Sequence, residues 1–104
     1  MEIIYNRSGN TLKVTCYGEL DENSAEKLRS SLDDNISASQ AKRVIIDLSG
    51  LAFMDSSGIG VLVGRYKKFV GRPVAFFIYR PNTTVDKILK LSGIYTIMPK
   101  IETA

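Results

Sequence analysis

Two adjacent hydroxyls, Ser56 and Ser57, stand between Asp55 and Gly58 in the run Met54-Asp55-Ser56-Ser57-Gly58-Ile59-Gly60. The commonest base that makes a serine a nucleophile is missing, because the 104 residues include no histidine. That absence removes Ser-His-Asp and Cys-His arrangements, His-ligated metals and the usual general acid or base at neutral pH. What remains open to such a serine is modification from outside, where a phosphate would bring about −1.5 to −2 charges. Ser56 reads as the N-cap of the helix that follows, its hydroxyl accepting from a backbone N–H two or three residues on. The helix dipole and free N–H groups at that end favour an added anion. On the plainer reading Ser56 is a cap and nothing more.

Other chemistry is thinly represented. The single cysteine, Cys16, can form neither an internal disulfide nor a zinc cluster. Its alternating apolar surroundings suit a small buried core residue better than a reactive thiol, and a reducing cytoplasm fits such sparse use. Gly58-x-Gly60 lacks the third glycine and the second mononucleotide half of a dinucleotide site. No Gly-x-x-x-x-Gly-Lys-Ser/Thr loop is present to hold ATP. The expectation is a protein without catalytic residues, metal or cofactor.

The elements that must carry the two serines are legible from periodicity and punctuation. Ile3 to Arg7 and the alternating Leu12 to Tyr17 read as a hairpin turned at Ser8-Gly9-Asn10 and ended at Gly18. Asn23, with Glu26 three residues on, marks a helix start, and Ala25, Leu28, Leu32 and Ile36 form its apolar stripe. Ser37 to Ala41 reads as a loop. Val44 to Leu48 and Val74 to Ile78 read as central strands covered on both faces, the first broken by Ser49-Gly50. Between them a helix runs from Ser57 to about Val70 and stops at Gly71 and Pro73. A third helix spans Thr83 to Ser92, stopped by Gly93, and Ile94 to Met98 reads as a last strand ended by Pro99. The order β-β-α-β-α-β-α-β specifies one α/β domain over residues 1–104, with a mixed sheet and no linker or repeat.

On a helical wheel of the second helix, Ile59, Leu62, Val63, Tyr66 and Val70 fall together as the inward side. Ser57, Gly60, Val61, Gly64 and Lys68 then face outward. Glycine costs about 1 kcal/mol relative to alanine in a helix, so two of them on an exposed face ask for a reason. Either another protein's backbone approaches there, or the glycines permit tight packing inside the fold. Asp21 and Asp55 each follow an apolar strand-end segment and are candidates for one shared edge; solvated loop acids are the alternative.

Charge is uneven along the chain. Residues 1–55 carry six Lys/Arg against nine Asp/Glu, and residues 56–104 carry eight against two. The basic residues of the second half are scattered, with no run and no interleaved aromatic stripe, which argues against nucleic acid as a partner. The longest apolar run, near Val74 to Ile78, is too short to cross a bilayer, and no signal-like start precedes it. A soluble cytoplasmic protein with no membrane partner is expected.

Gly18-Glu19-Leu20-Asp21, Val44-Ile45-Ile46-Asp47-Leu48, the run from Phe53 to Lys67, and Leu91-Ser92-Gly93 together resemble the STAS-domain anti-sigma factor antagonists. The similarity covers most of the chain and is strongest to the bacterial sporulation branch, the SpoIIAA type. The resemblance implies a STAS-like mixed sheet and a protein that, unphosphorylated, binds an anti-sigma factor and so frees a sigma factor. It implies that the anti-sigma factor, a serine kinase supplying the ATP site, phosphorylates Ser56, and that a PP2C-type serine phosphatase reverses this. It also implies that Asp21 contacts the partner. A relative working on a different partner, in a stress-response complex or in transporter regulation, is the other reading. Such family members usually carry a further C-terminal helix, which is expected to be short or absent before Ala104.

Overall fold

The hairpin forms in the computed structural model, which describes residues 1–104, with β1 at Glu2–Ser8 and β2 at Thr11–Leu20 paired antiparallel. There follow α1 (Glu22–Ser39), β3 (Arg43–Met54), α2 (Ser56–Phe69), β4 (Ala75–Tyr79), α3 (Thr83–Ser92), a 3-10 turn (Ile94–Thr96) and β5 (Lys100–Ile101). The strands lie in the order β1-β2-β3-β4-β5, and every pairing after the hairpin is parallel. The expected element order and the single antiparallel pairing are both present.

Each parallel step moves one strand over in the same direction. Right-handed crossovers then place all three helices on one face of the sheet. The side chains agree: Leu12, Val14 and Cys16 of β2, Val44, Ile46 and Leu48 of β3, and Phe76 and Ile78 of β4 all enter the helix-side core. The expected covering of both faces holds for Val44–Leu48, all five of which are buried although helices lie on one face only, and fails for Val74–Ile78, where Ala75 is exposed and Phe77 half-buried. Ile45 is buried on the helix-free side. It lies in register between Lys13 and Phe77, whose long side chains cover it on the helix-free face. On that face Lys13 also reaches Asp47 at 3.7 Å and lies over the Tyr79 ring, while Arg43 lies over Phe77.

Two expected breaks are bends within longer strands. β2 passes through Gly18, whose φ of +110° belongs to an irregularity in the ladder, and continues to Leu20. β3 passes through Ser49-Gly50 to Met54. Its glycine is needed because a Cβ there would collide with the Tyr17 ring. The long pair ends with Leu20 opposite Met54, which delivers the starts of α1 and α2 to the same edge. Gly18 and Ser49-Gly50 read as strand ends in the sequence, but the pairing carries both strands through them.

The cap of α1 is Asp21 rather than Asn23. Its carboxylate accepts from the N–H groups of Asn23 (2.9 Å) and Ser24 (3.2 Å), and the Ser24 hydroxyl accepts from the Asp21 N–H. A carboxylate that satisfies two free donors outcompetes a cap two residues later. α1 also runs on through the expected loop to Ser39, stopped at Gln40 in the left-handed region. After α3, which is capped by Asn82 and ends, as expected, at Gly93, the chain does not form a strand over Ile94 to Met98. It makes a 3-10 turn that buries Ile94 and Met98, and Pro99 precedes the short β5 instead of ending a strand, its carbonyl accepting from the Ile78 N–H. No helix is found in the remaining residues up to Ala104, and no helix of the chain is long and apolar enough to cross a membrane.

Asp86 fastens this last segment to α3. The Tyr95 hydroxyl donates to it at 2.6 Å, and Lys100 and Lys90 lie at 3.1 and 3.2 Å. The Tyr95 hydrogen bond foremost, with both lysines and against a smaller effect of burial, holds the carboxyl at about 2, below its ordinary 3.8. A lowered acid pKa stabilises the fold fully above the ordinary value, and the gain disappears as pH falls through the folded value. The difference in urea midpoint between wild type and Asp86→Asn is therefore expected to be full at about pH 5 and to shrink toward about pH 2.

Candidate functional site

The C-terminal ends of β2, β3 and β4 and the N-termini of α1, α2 and α3 share one edge of the sheet, the side of an open α/β sheet where sites gather. Asp21 and Asp55 stand next to each other there: the Asp55 N–H donates to the Leu20 carbonyl at 3.2 Å. The two aspartates expected on a shared edge are thus brought together, and each caps its own helix.

The cap of α2 is Asp55, not Ser56. The Asp55 carboxylate accepts from the Ser57 N–H at 2.8 Å, and its carbonyl accepts from Gly58 at 3.0 Å. Ser56 becomes the first helical residue, exposed, with its hydroxyl in no hydrogen bond within the chain. This correction changes the chemistry. Ser56 Oγ holds nothing within the chain, so a group added to it leaves the capping bond of α2, made by Asp55, in place. A phosphate on it would meet an N-terminus already occupied by a carboxylate, with Asp21 beside it. Ser57, one residue on, is half-buried.

α2 is rotated from its expected phase. Its buried residues are Gly58, Val61, Leu62, Arg65 and Phe69. Val61, expected outward, is 7% exposed and packs in the core, while Val70, expected inward, is 62% exposed. Ile59, Val63 and Tyr66 are half-buried and flank the outer face. That face carries Ser56, Gly60 and Lys67, with Gly64 at its margin. Lys68 turns toward α1, where its Nζ lies 3.3 Å from Asp33, and it stands about 18 Å along the helix from Ser56.

The rotation has a steric cause. A Cβ on Gly58 would lie 2.7–2.9 Å from the side chains of Met54 and Leu20, so α2 begins pressed directly onto that strand pair. Gly60 and Gly64 are different, since a Cβ on either meets nothing within 4 Å. The internal-packing explanation fails for these two glycines. The wheel went wrong because it counted apolar residues and could not credit a glycine or an arginine with facing inward. Arg65, which no motif singled out as polar and buried, packs against Asp33 of α1.

No group of three His, Cys, Asp or Glu is arranged to hold a metal. Cys16 is buried in the core, and burial, with the Asp47 charge behind it, pushes its thiol up to about 12. Two open clefts, of about 380 and 370 Å³, lie away from this edge. The first is bounded by Ile36, Phe69 and Arg72 at the far ends of α1 and α2, the second by Lys13 and Arg43 on the helix-free face. The site is a surface, not a pocket.

The STAS domain pattern matches residues 2–104. An anti-sigma F factor antagonist of Paenibacillus polymyxa is 33% identical over 99 residues, covering 95% of this chain and 85% of its own. One of Lysinibacillus sphaericus is 31% identical over 84 residues, covering 81% and 72%. Among solved structures, the anti-sigma factor antagonist SpoIIAA in its unphosphorylated form matches with a TM-score of 0.81 at 25% identity, over 97% of this chain and 89% of that one. The chain belongs to the STAS-domain family of anti-sigma factor antagonists.

The geometry separates four substitutions by urea denaturation. Asp55→Ala is expected to cost about 1 kcal/mol as a lost cap, and Ser56→Ala close to nothing. Gly60→Ala should stabilise α2 by about 1 kcal/mol, because glycine there serves no internal contact. Gly58→Ala should destabilise the protein, because Leu20 and Met54 must move.

Proposed function

We propose that this chain is an anti-sigma factor antagonist that docks, unmodified, on an anti-sigma factor through the Ser56 edge and the outer face of α2, and so releases a sigma factor. The observation that carries the reading is the free, exposed Ser56 hydroxyl beside the Asp55 cap, with Asp21 adjacent. Asp21, Asp55, Ser57, Gly60 and Gly64 form the contact with it, and the two glycines let a partner backbone come close. The buried Val61 takes no part. The partner is a serine kinase that brings its own ATP site, and a PP2C-type phosphatase resets the protein. The higher identity to relatives named for sigma F than to those named for sigma B, 33% and 31% against 26%, favours the sporulation setting.

The switch is electrostatic. Docking strips water from Ser56, and a phosphate there would be a doubly charged, strongly hydrated group at the contact. Asp55 and Asp21 add like-charge repulsion. A loss of about 3–4 kcal/mol weakens binding a few hundred-fold, with no change of fold required. The role is regulatory, and the chemistry of the cycle belongs to the two partner enzymes.

Incubation with the cognate anti-sigma factor and ATP, followed by mass spectrometry of the 54–65 peptide, is expected to place one phosphate on Ser56. By calorimetry, Ser56→Asp should bind that partner far more weakly than wild type. Ser56→Ala should bind and resist inactivation by ATP. Wild-type affinity retained by Ser56→Asp would sink the mechanism.

A further inference from the structure

Between α1 and α2 lies a buried ion pair that the docking edge does not use. Asp33 and Arg65 are 8% and 7% exposed. Arg65 Nε lies 2.8 Å from Asp33 Oδ1, and Lys68 Nζ and Arg29 Nη1 approach Oδ2 at 3.3 and 3.5 Å. The pair is close but poorly matched in direction. The Arg65 N–H is not aligned on Oδ1, and the buried Nη1 meets no acceptor at all. Taking both charges out of water is costly, and a well-packed apolar pair of similar volume is often as stable or more so. Fold stability is therefore a weak reason for these two residues.

Orientation is a better one. The remaining inward residues of α2, namely Val61, Leu62 and Phe69, make non-directional apolar contacts that tolerate small rotations and slides. Gly58 fixes only the start of the helix, against Leu20 and Met54. Gly60 and Gly64 have no side chains to wedge against a neighbour. An ion pair seven residues beyond Gly58 adds a constraint of another kind: both charges are buried, and a shift of α2 that parted them would leave each uncompensated in the core.

We infer that Asp33 and Arg65 are positioning residues, which lock the rotation and register of α2 on α1 and thereby present Ser56 and the Gly60–Gly64 face in the geometry the anti-sigma factor reads. The consequence for binding rests on the function proposed above, but the lock itself is a property of the isolated chain. Lys68 and Arg29, about half-exposed, steady Asp33 from the solvent side and can return to water when it is removed.

The test is the double variant Asp33→Leu/Arg65→Met in the full chain, with three readouts. Its urea midpoint should equal or exceed that of wild type; a clear fall would make the pair a stability element and overturn the inference. Residual dipolar couplings of the 57–69 amides should change relative to those of the sheet; unchanged couplings would overturn it whatever the partner does. Affinity for the cognate anti-sigma factor should fall about tenfold, and wild-type affinity in a variant with altered couplings would remove the link to recognition. Wild type and Ser56→Asp measured alongside keep the two ideas apart. If those two bind alike, the docking reading fails while the couplings still decide the lock.

Discussion

The contact on which the site depends is the close of the β2–β3 ladder, where Leu20 lies opposite Met54 and Gly58 presses onto both. The parallel pairing brings two helix starts to one edge. The backbone bond from Asp55 to Leu20 fixes their spacing, and the absence of a Cβ at Gly58 lets α2 descend onto the pair. Each element serves the same end. The ladder shifts register just before Gly50 and again after Gly18 yet still pairs through to Leu20 and Met54, and the two aspartate caps hold the helices that leave it. A change of one residue in that register would move Asp21 away from Ser56 and turn the Leu20–Met54 surface away from α2.

Assigning the cap to Asp55 explains how a modification can act without rearranging its host. In a helix capped by the modified serine, the added phosphate would itself take up the free N–H groups of the first turn. Here the capping bond is made by the neighbouring carboxylate, so the added charge acts on whatever docks against it. The same carboxylate makes the site less hospitable to phosphate than a bare helix N-terminus. A phosphate on Ser56, as proposed, would be held by covalent attachment and felt by the partner as repulsion.

The outer face of α2 is kept open by two glycines with free space beside them, at a cost in helix propensity that no internal contact returns. Its inner face combines apolar packing with one charged pair. Both choices favour presentation of a surface over stability of the fold, which is common where a protein's task is to be recognised.

The chain's order of elements, its third helix with the stop at Gly93, and the burial of Cys16 were all legible without coordinates. Periodicity, turn residues and the lack of histidine are local or compositional, and each acts within a few residues. Which aspartate caps which helix, the phase of α2 and the one-sided placement of the helices were not. Leu20 and Met54, like Asp33 and Arg65, are more than thirty residues apart in the chain. Only their meeting in space decides that Val61 turns inward, that Asp21 stands beside Asp55, and that the hydroxyl of Ser56 is left free.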